Sequence, residues 1–247
     1  MSALLHFWFK LKQLPIAHLL LPSRCALCLH PSPELLCEIC HQRYFSAQVV
    51  RCLQCGIASA DSPCRRCDTD QPAYDATIAA VDYLPPVDQL VLALKFGHRL
   101  AHAVLFARLM RDALLQTPQN YPPPMPDLLL PVPLSRERLS ERGFNQALEI
   151  ARPLAQALGI PLHPNLLLRV RDTNAQSLLH NAQRAKNIRN AFALTPTAHE
   201  SIAGRHIGLV DDVMTTGSTL NELATTLKRH GAVRVTNWVF ARTPAPD

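Results

Sequence analysis

The chain has 247 residues, 48% of them hydrophobic and 18% charged, with a formal charge of +6 at pH 7 and an isoelectric point near 9.0. That hydrophobic content excludes a disordered, highly charged chain, and the length allows one large or two modest domains. No run approaches about 18 uninterrupted apolar residues, which excludes a simple membrane-spanning helix.

Residues 1–21 are apolar in places, but Lys10 and Lys12 interrupt them and no small-residue cleavage site follows, so no export signal is expected. Leu4, Leu5, Phe7, Trp8, Leu11 and Leu14 fit a short amphipathic helix packed on the protein itself. The expected location is the cytoplasm.

All eight cysteines fall between residues 25 and 67, as Cys25-x2-Cys28, Cys37-x2-Cys40, Cys52-x2-Cys55 and Cys64-x2-Cys67. Each cysteine of the first half recurs 27 residues later, an internal repeat. A Cys-x2-Cys turn supplies two sulfurs to one edge of a tetrahedron, and two such turns complete a four-thiolate site. Zinc suits a closed all-sulfur site. Disulfides, the main rival, need an oxidising compartment; an iron–sulfur cluster is a weaker one. The repeat favours sequential sites, Cys25/Cys28/Cys37/Cys40 and Cys52/Cys55/Cys64/Cys67, while a crossed pairing also satisfies the spacing. Such a closed site is structural and supplies folding energy to a segment with little core. With two zinc ions and eight thiolates the formal charge falls to roughly +2.

Residues 73–84 read as a strand ended by Pro85-Pro86. Residues 87–96 read as a helix with Val87, Leu90, Val91 and Leu94 on one face, and Lys95 and Arg99 at its end are candidate phosphate contacts. A second helix is expected over 101–115, then a Pro-rich connection over 117–126 and a buried strand over 127–132. The stretch from Arg136 to Gln146 reads as a polar loop, whose Arg138 and Arg142 are candidates for a pyrophosphate because guanidinium forks bind it bidentately. A helix over 144–158 follows. Residues 131–190 carry nine Lys/Arg against four Asp/Glu. Within them the basic, amide-rich segment 166–194 reads as a mobile lid or strand-binding surface offering Arg169, Arg171, Arg184, Lys186 and Arg189.

The most informative stretch is Ile207 to Thr219. Ile207–Val210 is long enough for a buried parallel strand. Asp211 and Asp212 follow as adjacent carboxylates, then Val213, and then a turn of Met214, Thr215, Thr216, Gly217, Ser218 and Thr219. Leu220, Leu223, Ala224 and Leu227 give the next helix its apolar face, with Gly231 as its stop. Free N–H groups at such a turn favour a phosphate, whereas the acidic pair suits neutral hydroxyls or a metal. A sugar phosphate satisfies both. No Gly-Lys-Ser/Thr accompanies it, so it is not a nucleotide P-loop. A last strand spans 233–240, with Trp238 read as core rather than as a base-stacking residue.

The stretch resembles the phosphoribosyl pyrophosphate (PRPP) motif of type I phosphoribosyltransferases. That resemblance implies that Asp211 and Asp212 hold the ribose and act as the catalytic pair, and that Val213–Thr219 bind PRPP through its 5′-phosphate. Together with the cysteine-rich start and Arg142-Gly143-Phe144-Asn145-Gln146, and with Gln176, Arg184 and Asn187 between the two motifs, almost the whole chain is similar to the ComF/GntX family, linked to DNA uptake in naturally competent bacteria. The resemblance implies a double zinc ribbon over 1–70 and an α/β domain over 71–247, a Rossmann-like parallel sheet flanked by helices. It also implies two structural Zn²⁺, Mg²⁺ arriving with PRPP, and Lys95, Arg138, Arg142 and Arg184 as pyrophosphate or flexible-loop residues. Expected partners are PRPP, single-stranded DNA and proteins of the competence machinery. The activity it implies is phosphoribosyl transfer to an unspecified acceptor; the alternative is a non-catalytic single-stranded-DNA-binding factor that uses the same fold to bind or sense.

Overall fold

The structure is a computed structural model that describes residues 23–47, 49–116, 124–171 and 188–245. The N-terminal amphipathic stretch, most of the Pro-rich connection, and Gln176, Arg184, Lys186 and Asn187 lie outside the described residues. The chain divides into two compact units, residues 1–47 and 48–247.

Within the first unit the described residues form one cysteine knuckle followed by helix α1 (Glu38–Phe45). The knuckle is a tight hairpin: Arg24 bridges Pro31, the Cys25 N–H donates to His30 O at 2.8 Å, and the Leu29 N–H donates to Cys25 O at 3.0 Å.

The second unit opens with the same construction. Arg51 bridges Ala58, the Cys52 N–H donates to Ile57 O at 2.9 Å, and the Gly56 N–H donates to Cys52 O at 2.8 Å. Helix α2 (Arg65–Thr69) completes it. The repeat seen in the cysteines is thus a repeat in backbone hydrogen bonds. Its turn needs a left-handed residue, which is Gly56 at φ 72° in the second copy and Leu29 at φ 62° in the first.

The body of the second unit is a four-stranded parallel sheet in the order β1 (Ala76–Asp82), β6 (Arg234–Arg242), β5 (His206–Met214), β2 (Leu128–Pro131). Helices α3 (Val87–Lys95) and α4 (Ala101–Leu115) follow β1, and α5 (Arg136–Arg142) and α6 (Gln146–Leu158) follow β2. Then come the short antiparallel pair β3 (Leu167–Arg169) and β4 (Phe192–Leu194), helix α7 (Ala198–Ile202), and α8 (Ser218–Arg229) between β5 and β6.

Alternation along the strands covers both faces of the sheet. Leu128, Leu130, Ile207, Leu209, Val235 and Val239 join Leu220, Leu223, Ala224 and Leu227 of α8 in one apolar cluster. On the opposite face the rings of Phe240 and Phe106 from α4 stack 3.6 Å apart. Trp238 is fully buried, as expected of a core residue.

Two expectations change. The strand expected over 207–210 continues to Met214, because β6 pairs with β5 as far as Met214↔Arg242 while β2 stops at Pro131↔Val210. The stretch expected as a loop over 136–146 holds α5. Ser135 caps it by accepting from the Arg138 N–H, Gly143 ends it in the left-handed region, and Asn145 at once caps α6 by accepting from the Ala147 N–H.

A candidate phosphosugar site at the carboxyl end of the sheet

Asp211 and Asp212 lie beyond the last β2 pairing, on the part of β5 that only β6 still covers. That position, outside the carboxyl ends of parallel strands, is where open α/β sheets bind ligands. Asp211 is half-buried and Asp212 is buried. The Asp212 N–H donates to Asp211 Oδ1 at 2.9 Å.

Lys95, the last residue of α3, places its Nζ 2.6 Å from Asp212 Oδ2. Burial, followed by the Asp212 charge, pushes the Asp211 carboxyl well above the usual carboxylate range, and Lys95 only partly offsets this. Arg142, at the end of α5, completes the charge cluster. Its guanidinium lies 5.2 Å from the Phe96 ring centre, and its Nε and Nη1 are buried without a hydrogen-bond partner. Burial lowers its pKa, and the charges of Asp212 and Asp211 work against that lowering. Arg138 stands one turn earlier on α5 and is half-buried.

After Met214 the chain turns through Thr215, Thr216 and Gly217 into α8. Thr216 Oγ1 lies 2.9 Å from Ser218 Oγ and accepts from the Ser218 N–H at 3.3 Å. Gly217 is left-handed at φ 82°, and a Cβ there would sit 2.7 Å from Met214 Cε and 3.1 Å from the Tyr74 hydroxyl. Glycine closes this turn without the strain that any other residue would bring. The turn presents hydroxyls and amides at the start of a helix of 12 residues, with the acidic pair just upstream on β5.

Behind the turn lies a network that sequence reading did not anticipate. Arg242, 1% exposed, donates from Nε to Cys55 O at 2.8 Å. Its Nη1 donates to Met214 O at 3.0 Å and Thr243 O at 2.8 Å and also to Thr215 O. Arg66 of the second knuckle donates to Thr216 O at 3.0 Å. These partners are separated by up to 187 residues, so local pattern could not reveal them.

The cysteines assemble sequentially. Cys25, Cys28, Cys37 and Cys40 form one cluster and Cys52, Cys55, Cys64 and Cys67 the other, with each cluster's Sγ atoms within 4.8 Å of one another. The donors fit a four-coordinate soft metal. The Cys37 N–H points at Cys25 Sγ at 3.4 Å, and the Cys64 N–H at Cys52 Sγ at 3.3 Å. Burial opposes ionisation of Cys25 and Cys52, but backbone N–H groups outweigh it and bring the thiols down to about 6 and about 7. Of the expected pyrophosphate residues the structure brings Lys95 and Arg142 to the acidic pair, with Arg138 one turn away; Arg184 lies outside the described residues.

Residues 145–246 match the phosphoribosyl transferase domain family. The DNA utilization protein YhgH of Salmonella typhi is 37% identical over 91% of this chain and 99% of its own. Competence protein F of Haemophilus influenzae is 32% identical over 89% of this chain and 96% of its own.

The chain belongs to the ComF/GntX family.

The Bacillus subtilis competence protein ComFC, another relative, is 35% identical over 47% of this chain and 45% of its own. Among solved structures, the glutamine PRPP amidotransferase of B. subtilis aligns with a TM-score of 0.36 at 20% identity, covering 56% of this chain and 26% of that one. Among the described residues no helix is long and apolar enough to cross a membrane.

Proposed function

We propose that the chain binds PRPP with Mg²⁺ at the end of β5 and transfers its phosphoribosyl group. One observation carries this reading: two carboxylates on β5 stand directly before a glycine-closed hydroxyl turn that opens a helix. Asp211 and Asp212 take the ribose hydroxyls, and Val213–Thr219 take the 5′-phosphate through turn amides and the hydroxyls of Thr215, Thr216, Ser218 and Thr219. Lys95, Arg138 and Arg142 face the diphosphate, and Arg184 is proposed to join them. The unpaired Nε and Nη1 of Arg142 are donors without an acceptor until an anion arrives.

Lys95 is held on Asp212 at 2.6 Å, so ribose binding competes with that ion pair and frees the ammonium for the diphosphate. Mg²⁺ arriving with PRPP would neutralise part of the diphosphate charge that Lys95 and Arg142 meet. In the transfer step the C1–O bond breaks and its electron pair leaves with the diphosphate. A nitrogen nucleophile of the nucleobase or amine class bonds to C1 and yields its proton to solvent. The chain's own contribution is electrostatic: Lys95 and Arg142 stabilise the departing diphosphate, and the acidic pair favours the positive charge developing on the ribose.

The eight cysteines are proposed to hold two structural Zn²⁺ in sequential sites. We further propose, as modules, an N-terminal helix and double ribbon over 1–70 and a transferase-like domain over 71–247. A cytoplasmic location is consistent with free thiolate chemistry.

Release of pyrophosphate from PRPP, screened over nucleobases and amines, tests transfer. Release that needs one acceptor class, and is lost in Lys95→Ala, is the expected result. PRPP binding with no release for any acceptor would favour the second reading, a non-catalytic module that senses PRPP or grips a DNA end in concert with competence proteins. The relatives' names, which refer to DNA utilization and competence, and the basic residues Arg169, Arg171 and Arg189 support that reading. It requires single-stranded DNA binding that weakens steeply with salt; a flat salt dependence contradicts it.

A further inference from the structure

The second cysteine cluster does more than close its own knuckle. Its backbone and the phosphate turn share one buried cation. Arg242 fastens Cys55 O through Nε, and the carbonyls of Met214, Thr215 and Thr243 through Nη1. Without that guanidinium, Met214 O keeps the Thr243 N–H at 3.0 Å, but the carbonyls of Cys55, Thr215 and Thr243 lose the donor that draws them together. A second strut runs from Arg66, between the ligands Cys64 and Cys67, to Thr216 O at 3.0 Å.

Tyr74 fills the space between. It is buried, and its hydroxyl lies 3.1 Å from where a Cβ at Gly217 would sit, second only to Met214 Cε at 2.7 Å. The knuckle also reaches the sheet, since the Thr77 hydroxyl donates to Gln54 O at 2.7 Å and the Thr77 N–H to Leu53 O at 2.8 Å. Loss of order in the 52–67 segment therefore removes the Arg66 strut and the Cys55 anchor of Arg242, loosening the guanidinium that holds the carbonyls of Met214 and Thr215. The N–H groups of residues 215–217 belong to the same peptide units as these carbonyls and lose their aim with them, and the hydroxyls are carried on the same backbone.

We propose that Arg242 and Arg66 are positioning residues that couple the second four-thiolate site to the phosphate-binding turn, so that metal loading of that site sets the turn's affinity for a phosphorylated ligand. The proposal rests on the PRPP reading for the identity of the ligand, and on geometry alone for the coupling.

The test compares the zinc-loaded full-length protein with Arg66→Ala, Arg66→Lys, Arg242→Lys and Cys64→Ser. Amide hydrogen exchange of residues 214–219 is read without ligand, and Mg²⁺·PRPP affinity by calorimetry. Arg66→Ala, on an exposed helix, is expected to keep its zinc content and melting temperature. Its turn should exchange severalfold faster, and PRPP should bind about fivefold more weakly, less than the full loss of a charged hydrogen bond because this contact is exposed and does not touch the ligand. Arg66→Lys should recover part of both. Arg242→Lys and Cys64→Ser should weaken PRPP by about 30-fold or more. Should either of these two fail to fold, the Arg66 pair still decides. Unchanged exchange together with affinity within twofold of wild type in Arg66→Ala overturns the coupling while leaving the PRPP reading standing. A wild type that does not bind PRPP overturns the PRPP reading instead, and the exchange rates still judge the coupling.

Discussion

Two residues give the site its sharpest signatures. Asp211 has a raised pKa from burial and from Asp212. Below that value the ligand-free protein keeps the carboxyl neutral, while a ribose diol or Mg²⁺ calls for the carboxylate. PRPP affinity therefore rises with pH through the raised pKa, and binding releases a proton below it. Calorimetry in buffers of different ionisation enthalpy should detect that release, and Asp211→Asn should abolish it. The stability term has the opposite sign. Between the ordinary carboxylate value of about 3.9 and the raised one, the unfolded chain has lost its proton while the folded chain keeps it. The Asp211 contribution to stability thus falls as pH rises across that window and is flat above it. Denaturant midpoints of wild type and Asp211→Asn across pH would reveal the difference.

Gly217 is the second signature. At φ 82°, with Met214 Cε and the Tyr74 hydroxyl against any Cβ, Gly217→Ala should cost about 1–3 kcal/mol of stability. It should also weaken PRPP more than it lowers the melting temperature suggests, because strain falls on the turn itself. Equal PRPP affinity in the variant would mean the turn does not meet the ligand.

At the scale of elements, the pattern of apolar residues made much of the sheet and its helices legible. Helix α4 occupies the residues its periodicity implies, and α8 buries Leu220, Leu223, Ala224 and Leu227 as read. Strand ends were less legible because pairing partners set them, as β6 does in extending β5 past the acidic pair. Helix α5 was hidden by its composition: seven residues rich in charge bury no apolar side chain, and only the Ser135 cap and the Gly143 stop marked it. The acidic pair and its turn were legible as a local motif. Arg242 and Arg66 were not, since their partners come from distant segments. Core packing gives a test at this scale. Phe106→Ala removes the ring stacked on Phe240 and should cost about 3–5 kcal/mol, read as a shift in denaturant midpoint. A loss below about 1 kcal/mol would contradict the packing of α4 on β6.

For the whole molecule, two copies of one cysteine unit serve different bodies. The first lies in the 1–47 unit and the second is built into the 48–247 unit. Metal analysis should find two zinc ions per chain, and chelation should expose eight thiols to titration. Because the second site is part of the larger body, its stripping should lower the melting temperature of that body. One zinc or none, with cysteines reactive before chelation, would contradict the sequential clusters.

The central claim is that the acidic pair and the hydroxyl turn hold the two ends of one phosphorylated pentose. Its most direct test is equilibrium calorimetry of Mg²⁺·PRPP with wild type and with Asp211→Asn/Asp212→Asn, both checked for equal zinc content and folding. The expected result is saturable one-to-one binding in wild type, weakened about 100-fold or more in the variant, as loss of two charge-assisted contacts implies. Equal affinity in the two proteins, or no binding by a folded, zinc-loaded wild type, would contradict it.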